Sequence, residues 1–273
     1  MRRLHFAQVN HERQNTLLPF LSVFLLIALR YLYFGFRYFP QLDDYIQYHN
    51  YAAQGSVPYL VKALGLFAAR PLAGLFDITL WSWLWPCMIV SVLLLSAAYA
   101  ASAVAFRNLF AKHFGAGGLF VVFYALMPLG IEGTYWVSAS SRIIPGLLLC
   151  ALAAGRFSRY LESGRRGQLV GALVLQFLTF CFYEQTAVLS CALHILLALL
   201  AVRERRERSA AALLCILVAG AYFGVTALAG PSPLYDGRTE IILPKSLYYF
   251  DTFLPDPVGQ MKSAFLGGGW YIL

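Results

Sequence analysis

The stretch Gly167–Val202, GQLVGALVLQFLTFCFYEQTAVLSCALHILLALLAV, holds one acidic residue, Glu184, and no Lys or Arg. Basic clusters close it on both sides, RYLESGRR at 159–166 and RERRER at 203–208. A helix rises 1.5 Å per residue and the hydrocarbon core of a membrane is about 30 Å thick, so about 20 apolar residues make one crossing. The stretch is overlong for one crossing and long enough for two. Basic segments collect on the cytoplasmic side, so the two flanks belong on the same side and an even number of crossings lies between them. The spacing predicts two helices, 167–183 and 185–202, with a tight turn near Tyr183–Thr186 on the opposite side.

Working outward, further uncharged or nearly uncharged runs lie at 17–36, 78–106, 114–131, 143–155 and 209–230, giving seven crossings. Arg30, near the outer end of the first run, can snorkel to the interface. The run 143–155 is short, but the segments 107–113 and 156–166 around it are both basic, which requires a crossing there. With a cytoplasmic N-terminus, 13 of the 21 Lys and Arg fall in the inner segments 1–16, 107–113, 156–166 and 203–208. The much longer outer segments 37–77, 132–142, 183–187 and 231–273 hold Arg37, Lys62, Arg70, Arg142, Arg238, Lys245 and Lys262. The opening MRRLHF looks like the basic start of a signal peptide, but the first apolar run is too long and has no small-residue cleavage site, so it reads as an uncleaved anchor.

Composition agrees. Of 273 residues 60% are hydrophobic and 12% charged, with a mean hydropathy of +0.64; soluble domains carry about 45–50% apolar and about 25% charged residues. This excludes a water-soluble enzyme, a disordered chain and a disulfide-stapled secreted domain. Seventeen Tyr and 5 Trp suit many membrane–water interface positions. The net charge of +8 sits in short inter-span segments, not on a soluble basic face of the kind that binds nucleic acid. Cys87, Cys150, Cys181, Cys191 and Cys215 lie in apolar stretches with no CxxC spacing and read as small buried apolar residues. The fold class is all-α: a polytopic transmembrane helical bundle forming one integral-membrane domain over 1–273. Residues 231–273 start a large outer segment, and Gly267–Leu273 does not finish the element begun there: either the protein ends in a loop or, the favoured reading, this is a piece of a longer protein.

The acids carry separate information, because the positive-inside rule is silent about them. Nine of the 13 fall outside: Asp43, Asp44, Asp77, Glu132, Glu184, Asp236, Glu240, Asp251 and Asp256. Carboxylates at membrane-helix ends cost free energy and are functional candidates. Leu42–Asp43–Asp44–Tyr45 follows the first span. Adjacent carboxylates repel, so a cation or proton belongs nearby; either Asp suits a general base, the pair suits Mg²⁺ or Mn²⁺ as an optional metal, and the plain alternative is a solvated turn or helix cap. The segment Lys62–Asp77 has apolar residues at helical spacing and reads as an amphipathic helix lying in the outer interface. Its Arg70 suits a phosphate or a lipid headgroup. Glu132, Tyr135, Trp136 and Arg142 place an acid, two aromatics and a base in one loop, fit for a sugar ring and a phosphate or simply for an aromatic belt. Tyr183, Glu184 and Gln185, between two apolar runs, face a polar cavity or cap a turn. His194 has no second titratable group on its span and takes a packing role; His49 lies near the aspartates as a helper.

A cytoplasmic N-terminus, one span, then a long outer loop opening with Asp43–Asp44 and continuing as a membrane-lying segment at about Pro58–Phe76 with Arg70–Pro71 resembles the GT-C superfamily of integral-membrane glycosyltransferases. The likeness covers residues 1 to about 190 in organisation. It implies a polyprenyl-phosphate-linked sugar as donor, a cell-envelope glycan or lipid as acceptor, and a bacterial inner membrane with the active face periplasmic. It also implies Asp43 or Asp44 as the catalytic carboxylate. The segments Glu132–Trp136 and Tyr183–Gln185 look like short outer-loop motifs of envelope-decorating members. The chain departs from the family in having fewer spans. Two other classes stay open: a transporter or lipid-linked-saccharide flippase, and a non-catalytic membrane subunit. The near absence of charge within the spans favours surface chemistry over transport.

Overall fold

The computed structural model describes residues 16–31, 40, 42–47, 70–115, 117–126, 136–202 and 206–228, and every regular element among them is helical. In chain order these are α1 (Leu17–Tyr31), α2 (Leu42–Gln47), α3 (Pro71–Phe76), α4 (Met88–Phe114), α5 (Gly117–Leu126), α6 (Val137–Ser163), α7 (Arg166–Phe180), α8 (Glu184–Ala201), α9 (Arg206–Ser209) and α10 (Ala212–Leu228). Between α3 and α4 the chain widens into a π turn at Asp77–Trp81 and tightens into a 3-10 turn at Trp85–Cys87.

Helix α6 is the centre of the bundle, packed against α4, α7 and α8. Its sequence permits this. Gly146, Cys150, Ala154 and Ser158 recur every four residues and are all buried; small residues at that spacing let helices approach closely. At Gly146 the approach is so close that an added Cβ would lie 2.5 Å from Thr186 Oγ1 of α8. Helices α4 and α6 run parallel, and each stops at a glycine in the left-handed conformation, Gly115 (φ 69°) and Gly164 (φ 68°). Only glycine takes that conformation without steric cost, so it ends the helix cleanly.

Among the described residues α1, α4, α5, α6, α7, α8 and α10 alternate in direction. The start of α1 lies beside Ala101–Asn108 of α4, while Tyr31 at its end bonds Ser140 at the start of α6. Lys112 and His113 near the end of α4 meet Ser158 and Glu162 near the end of α6. Among the described residues, three helices are long and apolar enough to cross a membrane: Trp85–Phe114, Val137–Ser163 and Glu184–Ala201. Outward-facing aliphatics such as Leu25, Leu29, Val170, Val174, Val188, Leu199, Leu213 and Leu217 are exposed on the outer helices. Such a surface would aggregate in water and suits hydrocarbon.

Several boundaries differ from the sequence expectations. The run 143–155 is the middle of the 27-residue α6, which begins at Val137 and continues past Arg156 and Arg159. Those two arginines are exposed on the helix surface, where their long side chains reach away from the apolar core without breaking the helix. Arg107 and Lys112 likewise belong to the last turns of α4, not to a loop. Arg142, expected in the loop 132–142, lies inside α6. The crossing expected from 78 begins at Trp85, after the π turn and with the 3-10 turn. The tight turn of the 167–202 hairpin comprises Cys181–Tyr183, so Glu184, Gln185 and Thr186 open α8. Of the cysteines, Cys150, Cys181 and Cys215 are buried, Cys191 is half-buried and Cys87 is exposed in the 3-10 turn. The expectations for 1–15, for most of the interfacial segment 58–69, and for 231–273 lie outside the described residues.

Candidate functional site

The charges of interest lie at the end of the bundle where α6 begins. A helix leaves its first amides unpaired and its N-terminus partly positive. In α6 the preceding residue, Trp136, offers no side-chain cap. The cap comes from 94 residues away: Asp44, on the six-residue α2, is fully buried, and its Oδ1 accepts the Ser138 N–H at 2.7 Å. Its neighbour Asp43 is exposed. Tyr45 packs edge-on against Trp85, with ring centroids 5.8 Å apart, which ties α2 to the 3-10 turn that leads into α4.

One turn into α6, Arg142 Nη2 donates to Asp77 Oδ2 at 3.0 Å; Asp77 is 1% exposed and the Arg142 side chain 22%. Asp77 stands where α3 passes into the π turn, and its carbonyl accepts the Ser82 N–H at 3.1 Å. Sequence reasoning placed Asp77 at the end of the amphipathic segment but did not single it out. The signal was there: a carboxylate between Phe76 and Ile78, in an otherwise apolar stretch, needs a partner.

The third pair fixes α3 to the turn between α7 and α8. Arg70 precedes Pro71, which takes the first position of α3 where a missing N–H costs nothing. Its guanidinium grips Glu184 with both prongs: Nε lies 2.9 and 3.0 Å from Oε1 and Oε2, and Nη2 lies 2.7 Å from Oε2. The same guanidinium lies over the Tyr183 ring at 4.4 Å, a favourable cation–π placement. Beside it the Leu72 and Ala73 amides donate to the Cys181 carbonyl at 3.1 and 3.3 Å, and Phe76 meets Phe182 at 5.4 Å. Burial pushes the Cys181 thiol up to about 11, so it stays protonated and is a poor nucleophile at neutral pH.

The site residues read from the sequence therefore fall into three groups. Asp44, Arg70, Arg142, Tyr183 and Glu184 are brought to one end of the bundle, in specific pairings. Asp43 and Gln185 are at that end but exposed, while Trp136 is half-buried and accepts the Ala139 and Ser140 amides through its carbonyl. Glu132, Tyr135 and His49 lie outside the described residues. His194 is fully buried in α8, with Nδ1 at 2.6 Å from the Ser190 carbonyl and its ring 4.8 Å from Phe157; a carbonyl can only accept, so Nδ1 carries the proton.

Two more groups deserve notice at this end. Trp81 Nε1 and Ser138 Oγ are buried without a hydrogen-bond partner among the described residues, an arrangement that costs about 1–3 kcal/mol per group unless a ligand or water supplies one. For a metal, no group of three or more His, Cys, Asp or Glu is suitably placed among the described residues. Asp43 is exposed while Asp44 is enclosed against Ser138, so the two carboxylates do not present a shared set of oxygens to a metal. Compared with known proteins, the chain significantly matches no family model, no curated protein and no solved structure.

Proposed function

We propose that the chain is a multi-pass membrane glycosyltransferase with seven crossings, its N-terminus cytoplasmic and the end bearing Asp43, Arg70 and Arg142 on the periplasmic face of a bacterial inner membrane. It moves a sugar from a polyprenyl-phosphate donor to a cell-envelope glycan or lipid. The observation that carries this is the convergence of carboxylates and guanidiniums from four separate stretches, 42–47, 70–77, 136–142 and 183–185, on one end of the helical bundle. A lipid-linked donor cannot leave the bilayer, so its reacting atoms sit where hydrocarbon meets water, and charged groups at one end of a bundle of membrane-spanning helices suit that place.

In this mechanism the exposed Asp43 is the base. It takes the proton from the acceptor hydroxyl as that oxygen bonds to the anomeric carbon. The bond from that carbon to the phosphate oxygen breaks, and the polyprenyl phosphate leaves with one more negative charge, with inversion. Asp44 is a positioning residue: by capping α6 it holds α2, and with it Asp43, in place. Arg70 and Arg142 provide positive charge for the departing phosphate. Trp81 Nε1 and Ser138 Oγ, buried without a partner among the described residues, suit the hydroxyls of a sugar.

Sugar transfer from a polyprenyl-phosphate donor in vesicles tests this. Asp43→Asn lowers transfer by about 10²–10⁴-fold, the usual contribution of a general base, while insertion and thermal stability stay unchanged. Full transfer by Asp43→Asn, Asp44→Asn and the double variant removes the aspartates from the chemistry.

A further inference from the structure

The two arginines at this end are not equivalent. Arg142 pairs with Asp77, which is 1% exposed and locked into the chain where α3 becomes the π turn. Arg70 pairs with Glu184, whose side chain is 33% exposed, the Arg70 side chain being 17% exposed. Both prongs of the Arg70 fork point at the two oxygens of one carboxylate. That two-pronged geometry is the one a guanidinium offers equally to a phosphate. The Tyr183 ring beneath Arg70 holds the guanidinium plane in place whichever anion faces it, and the bonds from Leu72 and Ala73 to Cys181 keep its backbone anchored independently of the ion pair.

We propose that Glu184 is a built-in stand-in anion. It occupies the Arg70 fork in the resting protein and yields it to a phosphate group, so that ligand binding is an exchange of carboxylate for phosphate. Asp77 cannot play that part, because it is 1% exposed and enclosed where α3 becomes the π turn, with no open side to swing into. The released Glu184 has somewhere to go: it is at the first turn of α8 and partly in contact with solvent. The exchange names a gate on the phosphate site assumed under Proposed function and rests on that assignment, but only for its biological occupant.

The test measures phosphate affinity in the full-length protein by two arms, inorganic phosphate added to detergent-solubilised protein and a polyprenyl monophosphate in vesicles. Removing the competing charge with Glu184→Gln is expected to tighten binding about tenfold in whichever arm carries the physiological source, and Arg70→Gln abolishes it. Asp77→Asn gives no gain in affinity. If Glu184→Gln leaves affinity unchanged or weakens it in both arms while the protein remains folded, the gate is overturned; equal tightening by Asp77→Asn also overturns it. Tightened binding without any sugar transfer would uphold the exchange and discard the transferase, whereas normal transfer with unchanged phosphate affinity would do the reverse.

Discussion

At the first turn of α6 a buried carboxylate, Asp44, takes the Ser138 amide; at its last turn a part-exposed guanidinium, Arg208, takes the Leu161 and Glu162 carbonyls at 3.1 and 2.7 Å. Both charges come from distant parts of the chain, and both have the sign the helix dipole favours, negative at the start and positive at the end. The two ends differ in what surrounds the caps. At the start, Asp44 and Asp77 are 0% and 1% exposed. At the end, Lys112 and Glu162 pair at 2.6 Å with side chains 39% and 41% exposed. The dipole explains both caps equally well, so it does not explain the burial. Burying a carboxylate costs several kcal/mol before its partner offsets any of it, and a helix can be capped without that cost, as Arg208 does. The excess burial at the α6 start is what calls for a function there.

The sharpest way to break this contrast is at Arg142. Arg142→Ala removes the guanidinium that faces the buried Asp77 carboxylate, and the expected loss of stability is about 3–5 kcal/mol, read as a lowered midpoint in denaturant for the detergent-solubilised protein. Replacing both partners, Arg142→Met with Asp77→Leu, restores most of it. A single substitution that costs under about 1 kcal/mol would mean the pair is solvated after all, and the distinction between the two ends would fall.

A middle-sized effect separates helix-ending from capping at the other end. Gly115 and Gly164 have nearly the same positive φ, 69° and 68°, but a Cβ at Gly115 meets nothing within 4 Å, while one at Gly164 would lie 3.1 Å from Arg208 Cζ and Nη2. Gly115→Ala therefore reports the backbone cost alone, about 1–2 kcal/mol. Gly164→Ala adds displacement of the Arg208 cap and costs more. Equal losses from the two variants would show that Arg208 moves aside freely and holds nothing.

How much of this the sequence made legible depends on the range of the interaction. The hairpin of α7 and α8 followed from apolar run lengths and basic flanks, which are local. A charged residue does not by itself mark a helix end: Arg107, Lys112, Arg142 and Arg156 all sit within helices, Arg156 because its long side chain carries the charge away from the apolar core and Arg142 because a buried carboxylate meets it. Asp44, Arg70, Arg142 and Glu184 stood out as charges beside apolar runs. Their pairings did not, since the partners are 94, 114 and 65 residues apart for Asp44–Ser138, Arg70–Glu184 and Asp77–Arg142, and only the packing of α2 and α3 on α6 and α8 brings them together. The different fates of Asp43 and Asp44 were equally hidden, because adjacent positions on a helix point in directions about 100° apart, and which of them faces α6 is a tertiary fact.

The smallest expected effect completes the contrast. Glu162→Gln removes the charge that Lys112 meets but keeps the side chain's size and leaves the Glu162 carbonyl for Arg208. Because both side chains are more than a third exposed, water and salt already screen their attraction, and the loss is roughly 0.2–1 kcal/mol, shrinking further at high salt. Lys112 also donates to Ser158 Oγ at 3.2 Å, the same hydroxyl that meets His113 Nε2 at 2.9 Å, so the ammonium keeps a partner when the carboxylate is gone. Measured at low and high salt beside Arg142→Ala, the Glu162→Gln variant should show the larger fractional salt dependence and the smaller absolute loss. A loss matching that of Arg142→Ala would place the two ion pairs in the same environment, and the burial of charge at the α6 start would no longer mark that end as different.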